Sequence, residues 1–192
     1  MKYFFTGCPH WGHANIIIYC KRPFKDLDEM HTVLKRNWNS RIKRGDVCVV
    51  IGDFAFKNSE NNKNKGDGIP NKSEFYEEQL NGKIIFIQGN HDGNNGTKAI
   101  IRNMKIKLGG YIINIVHDPK YVDFNVDLNL VSHVHTEWKF KRFFKGKKFV
   151  DAVNCGVDQW KFTPITIEEI LSTYSKWKKT QPYNEVKNEV KK

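Results

Sequence analysis

The chain has 192 residues, 39% hydrophobic and 28% charged, which suits one globular domain with a real core and excludes a disordered tail protein. Lys and Arg number 32 against 21 Asp and Glu, a formal net charge of +11 that fits a polyanionic partner and equally fits plain solubility. No apolar run approaches the ~20 residues of a membrane span, and MKYFFTG does not read as a signal peptide. The scattered Cys8, Cys20, Cys48 and Cys155 need no disulfides, so a reduced, cytoplasmic setting without membrane association is expected.

Short β-rich runs recur at Tyr3–Thr6, Val47–Ile51, Ile84–Gln88, Tyr111–Val116, Leu128–Val131 and Phe149–Val153, with helical patterns between several of them, which predicts an α/β fold. The longest helix is predicted from about Asp28 to Arg44. Met30, Val33, Leu34, Trp38 and Ile42 make its apolar stripe, Asp26 or Asp28 can cap its start, and Gly45 can close it. Another begins at Thr166, where Glu169 completes a capping box ahead of Ile170, Leu171, Tyr174 and Trp177. Shorter helices are predicted at Ser73–Leu80 and Thr97–Met104. The Asn, Lys, Gly and Asp-rich stretch from Lys57 to Lys72 reads as a mobile surface loop, and residues 178–192 as a polar basic tail behind a single domain at 1–177.

Every histidine except His31 falls just past a predicted strand, in company with Asp53, Asn90 and Asp92. The carboxyl ends of strands in an open α/β sheet form the crevice where ligands bind, so donors from distant positions converge there. In order they are Cys8 with His10 and His13, Gly52-Asp53, Gly89-Asn90-His91-Asp92, His117, and His133 with His135. The two-residue spacing of Cys8/His10 and His133/His135 would put each pair on one side of an extended segment. Two divalent ions ~3.5–4 Å apart can clamp a phosphoryl group and activate a bridging water, with Asp53 as the candidate bridging carboxylate.

These stretches, FFTGCPHWGHANII, NWNSRIKRGDVCVVIGDFAF, GKIIFIQGNHD, IVHDP, SHVH and NCGVDQWKFTPITIEEI, run in order from Tyr3 to Ile170. Together they resemble the calcineurin-like metallophosphoesterases, in particular the small bacterial, archaeal and phage members that open on Asp-Thr-His-Phe-Gly-His. The resemblance implies two stacked mixed sheets flanked by helices, a four-layer sandwich, and hydrolysis of a phosphodiester or nucleotide by a hydroxide bridging two divalent ions. It implies one ion held by Cys8, His10, Asp53 and His135, and a second by Asp53, Asn90, His117 and His133. Manganese or zinc is the usual kind, with iron or nickel also admitted. His91 would contact the phosphate and protonate the leaving oxygen, His13 and Asn90 would lie near substrate, and Asp92 would support.

Cys8 stands where the family has a ligand aspartate. A thiolate carries the same charge and binds zinc well, so the site can persist with a softer preference; it can also hold the first ion weakly, or lose catalysis. Ser132 replaces a family glycine and Asp118 a common aromatic, changes expected to touch no donor atom. The alternative function is a catalytically impaired homologue serving as a binding module, for nucleic acid among other partners. Lys139, Lys141, Arg142, Lys145, Lys147 and Lys148, interleaved with Phe140, Phe143, Phe144 and Phe149, could track a nucleic-acid backbone. The plainer reading is a hairpin turning at Gly146 with phenylalanines inward. Trp11 and Trp160 can line the cleft or fill core. Cys20, Cys48 and Cys155 read as core filler.

Overall fold

Val47–Ile51 is an unbroken apolar run, and in a strand such a run can be buried only if both faces of the sheet are covered. A computed structural model of the chain, which describes residues 1–56, 72–93 and 96–181, puts it at that position. It forms β2, paired in parallel with β1 (Tyr3–Thr6) and β3 (Lys83–Ile87). Two residues, Ile165–Thr166, add an antiparallel edge strand, here β9, so the first sheet runs β3-β2-β1-β9. The second sheet is built from β4 (Asn103–Leu108), β5 (Tyr111–Val116), β6 (Leu128–Val131), β7 (Phe140–Lys145) and β8 (Lys148–Asn154). Its order is β4-β5-β6-β8-β7, parallel in the middle and antiparallel at both edges. The fold is α/β with two mixed sheets flanked by helices.

Strand alternation sorts the side chains into layers. Phe5, Val49, Ile51 and Ile87 face Ile113, Ile115, Leu128, Leu130 and Val153 across the space between the sheets. On the opposite face of the first sheet, Phe4, Cys48 and Val50 meet Met30, Leu34 and Trp38 of α2 (Leu27–Arg41), with Ile16 of α1 (Asn15–Tyr19) and Tyr76 of α3 (Ser73–Glu77) beside them. Helix α4 (Ile167–Lys179) starts on the expected capping box and drives Ile167, Ile170 and Tyr174 into the layer between the sheets.

Asp26 caps α2 by accepting from the Glu29 N–H, as expected, but the helix stops at Arg41 rather than running to Gly45. Ile42 turns extended and fully buried, which yields more apolar burial than another helical turn pointing into water. The helix expected at Thr97–Met104 is absent: β4 starts at Asn103 and pairs along its length with β5. Met104, Ile106 and Leu108 alternate with Asn103, Lys105 and Lys107, so the period-two signal prevailed there. Residues 57–71 and 182–192 lie outside the described residues, and with them almost all of the loop and of the tail anticipated above; Lys178 and Lys179 close α4. Among the described residues no helix is long and apolar enough to cross a membrane, and all four cysteines are free and buried.

Candidate metal centre

Strand β1 hands on to Gly7-Cys8, β2 to Gly52-Asp53, β3 to Gln88-Gly89-Asn90, β5 to His117 and β6 to Ser132-His133, all at one end of the two sheets. The spacing argument for Cys8/His10 and His133/His135 fails in its geometry. Those four residues and Asp53 have left-handed backbone, with φ of 50, 54, 65, 43 and 52°, rather than an extended path. Such a conformation is costly for a side chain with a Cβ and is held in place by surrounding contacts. Here they are backbone bonds between loops, Cys8 N–H to Gly52 O at 3.0 Å and His10 N–H to Asp53 O at 3.2 Å. Convergence is achieved by tight turns locked to one another.

Asp53 sits at the middle. Its Oδ2 is 3.3 Å from His117 Nε2 and 3.8 Å from His10 Nε2, while Oδ1 accepts the His91 backbone N–H at 3.0 Å. His117 Nε2 also lies 3.0 Å from Asn90 Oδ1 and 3.1 Å from His133 Nδ1. On the other side, one donor atom each from Cys8, His10 and His135 falls within 4.8 Å of the others, and the same holds for Cys8, Asp53 and His117. The structure therefore brings together every residue named above as a candidate ligand. Both ring nitrogens of His10, 3% exposed, lack a hydrogen-bond partner. Buried polar atoms are seldom left so, and a cation among these oxygen, nitrogen and sulfur donors would take up one of the two nitrogens. The donor set fits a divalent ion.

Several groups other than the candidate ligands hold this centre. Asp92, fully buried, accepts the backbone N–H groups of Asp53, Phe54 and Gly89 at 3.0, 3.0 and 2.7 Å, tying the second and third turns into one body. Gly89 lets that happen, since a Cβ there would lie 2.3 Å from Asp53 Oδ1. Gly52 combines a φ of 75° with a Cβ position 2.2 Å from His117 Nδ1. Arg22 donates to the carbonyls of Cys8 and Pro9 and to both oxygens of Asp158, and Asp158 in turn meets His135 Nδ1. Sequence reasoning missed Arg22 and Asp158, whose separation of 136 residues hides the pair. It also misjudged Ser132, whose Oγ lies 3.3 Å from Cys8 Sγ and 2.9 Å from His117 Nδ1 and so touches two candidate ligands.

Electrostatics divide the histidines. Burial, only partly offset by Asp53, holds His10 well below its ordinary pKa. Burial and the neighbouring His91 bring His13 to about 4. Burial also opposes charge on His117, yet its bonds to Asp53 and Cys8 lift it to about 11. For Asp53 the burial penalty is outweighed by the His117 bond and the charges of His117 and His10, which keep its carboxyl ionised far below the usual range.

His91 and Asn90 are exposed at the rim, and the His91 ring lies 6.0 Å from that of His10. His13 stacks on Phe56 at 4.3 Å. His31 stands behind the site, taking the Gly12 N–H on its Nε2. Trp11 is core, packed against Phe54 and Tyr76. Trp160 donates to Asn154 O and carries Lys139 Nζ 3.5 Å over its ring. The β7–β8 hairpin does turn at Gly146, but its phenylalanines divide between faces: Phe140 enters the layer between the sheets, Phe143 packs outside, and Phe144 is exposed. Lys139 also bonds Gln159 O and Arg142 is paired with Asp151, which leaves Lys141, Lys145, Lys147 and Lys148 as its outward charges. Cys48 and Cys155 are core, whereas Cys20 also lies within 4.8 Å of donor atoms on His135 and Asp158.

No protein-family model matches the chain. Over 190 residues it is 30% identical to "Uncharacterized protein MJ1445" of Methanocaldococcus jannaschii, covering 96% of this chain and 98% of that one. Among solved structures it is similar to a protein of unknown function, AQ665, from Aquifex aeolicus, with a TM-score of 0.63 and 20% identity over 90% of this chain and 98% of that chain. That likeness concerns the fold alone. Vps29 of Chaetomium thermophilum, 14% identical over 79% of this chain and 69% of its own, superposes with a TM-score of 0.41, too low to argue from.

Proposed function

We propose that this chain, which belongs to one family with the M. jannaschii protein, is a metal-dependent phosphoesterase acting on a phosphodiester or nucleotide. One observation carries the reading: Asp53 Oδ2 lies 3.8 Å from His10 Nε2 and 3.3 Å from His117 Nε2, and His117 in turn meets Asn90 and His133. Cys8, His10, Asp53 and His135 would hold one divalent ion, and Asp53, Asn90, His117 and His133 a second, with manganese and zinc the leading candidates. Ions bound there supply positive charge to phosphate oxygens and lower the pKa of water.

The chain's own contribution is placement and proton transfer. Asp53 is fixed by the His91 N–H on one oxygen, so its other oxygen keeps its aim between the two groups. His91, exposed and with its ring 6.0 Å from that of His10, would pass a proton to the departing oxygen. Asn90 and His13 would border the bound substrate.

The protein loaded with Mn²⁺ or Zn²⁺ and offered a chromogenic phosphodiester should turn it over, and His91→Ala should still bind metal but lose turnover of a phosphodiester whose leaving oxygen needs a proton. Turnover that appears only in Cys8→Asp would identify a silenced site. A metal-loaded protein inert in both forms would favour the binding-module alternative, tested by salt-dependent nucleic-acid binding that weakens when Lys141, Lys145, Lys147 and Lys148 are neutralised.

A further inference from the structure

Ser132 and Cys8 occupy one another's space. Ser132 Oγ lies 3.3 Å from Cys8 Sγ, 2.9 Å from His117 Nδ1 and in close contact with Ile51 O, and a Cβ on Gly7 would fall 2.6 Å from Ser132 Cβ. The His133 N–H points at the same sulfur from 3.1 Å. The Cys8 sulfur thus has two polar neighbours and also lies within 4.8 Å of a donor atom on each of His10, His135, Asp53 and His117.

We infer that Cys8 and Ser132 act as one device that makes this a sulfur-ligated centre selecting a soft cation, zinc over manganese, with Ser132 as the positioning residue; the inference rests on the metal-binding part of the function proposed above. A cysteine side chain is shorter than an aspartate and offers one donor atom instead of two, so it cannot adjust its reach by rotating a carboxylate. The sulfur must be placed. The His133 N–H does so as a donor at 3.1 Å, and Ser132 does so by contact, its Oγ 3.3 Å from the sulfur while its own hydroxyl hydrogen goes to Ile51 O. Ser132 acts on His117 as well. Ile51 O can only accept, so at 3.0 Å it calls for the hydrogen on His117 Nδ1, with the hydroxyl as its alternative partner. That leaves Nε2 as the nitrogen turned towards Asp53, Asn90 and His133. Thiolate ligands favour zinc and other soft ions, whereas oxygen-rich sets suit magnesium and manganese. A buried His10 in the same group, without a hydrogen-bond partner on either ring nitrogen, argues that the sulfur belongs to a cation site rather than being packed as filler.

The test reads the metal itself. Loaded with Co²⁺, the protein should show a near-ultraviolet sulfur-to-cobalt charge-transfer band that disappears in Cys8→Ser and Cys8→Asp. Competition binding should show a zinc-over-manganese preference that narrows in Cys8→Asp. Ser132→Gly should keep the band but bind zinc about ten- to a hundredfold more weakly, the usual effect of removing a group that orients a ligand. The parent spectrum depends on no variant folding. Cobalt bound without a charge-transfer band would overturn this inference and leave the phosphoesterase reading standing; no binding of any of these ions would overturn both.

Discussion

Asp158 and His135 meet at 3.1 Å, carboxylate Oδ2 to imidazole Nδ1, and the same carboxylate takes Arg22 Nε and Nη2 at 2.9 and 3.1 Å. The carboxylate only accepts, so His135 carries its hydrogen on Nδ1 and keeps Nε2 for a ligand. Arg22 also holds the carbonyls of Cys8 and Pro9, so one buried guanidinium aligns the first and last turns of the centre.

Asp158→Ala should therefore weaken metal binding about ten- to a hundredfold, because the ring loses its orienting partner. Isothermal titration with zinc measures it, and unchanged affinity would show that His135 is held by packing alone.

Arg22→Ala is expected to destabilise the fold by about 3–5 kcal/mol, the range for leaving one member of a buried ion pair uncompensated. Arg22 and Asp158 side chains are 0% and 2% exposed, so water cannot take over the lost contact. Urea denaturation of the two proteins gives the difference directly.

Asp92→Ala strips three buried backbone N–H groups of their acceptor and should cost about 3 kcal/mol or more. It should also lower metal affinity, because the turn bearing Asp53 is no longer fastened to Gly89. A variant that keeps its stability but loses metal binding would contradict the structural role assigned to Asp92.

His91→Ala should lower turnover of a substrate with a poor leaving group by about 10²–10⁴-fold, the usual worth of a general acid. A nitrophenolate leaves without a proton, so with that substrate the loss should be much smaller. Equal losses for both would remove His91 from the role of proton donor.

Zinc at a hundred times its dissociation constant should raise unfolding stability by about 2.7 kcal/mol per site, provided the unfolded chain does not bind it. A chelator should return the melting temperature to its metal-free value.

The single chain order of letters carried a great deal. Apolar runs such as Val47–Ile51 announce buried parallel strands, Thr166 with Glu169 announces a helix start, and donors placed after strands announce a crevice, since these signals are local and follow from backbone geometry. Contacts between remote positions were another matter. Nothing local shows that Arg22 reaches Asp158, that Ser132 leans on Cys8 and His117, or that five site residues hold left-handed backbone. Those depend on which turns become neighbours once both sheets have stacked, and only the folded chain decides that, because hydrogen-bond geometry is set by distances through space rather than by separation along the sequence.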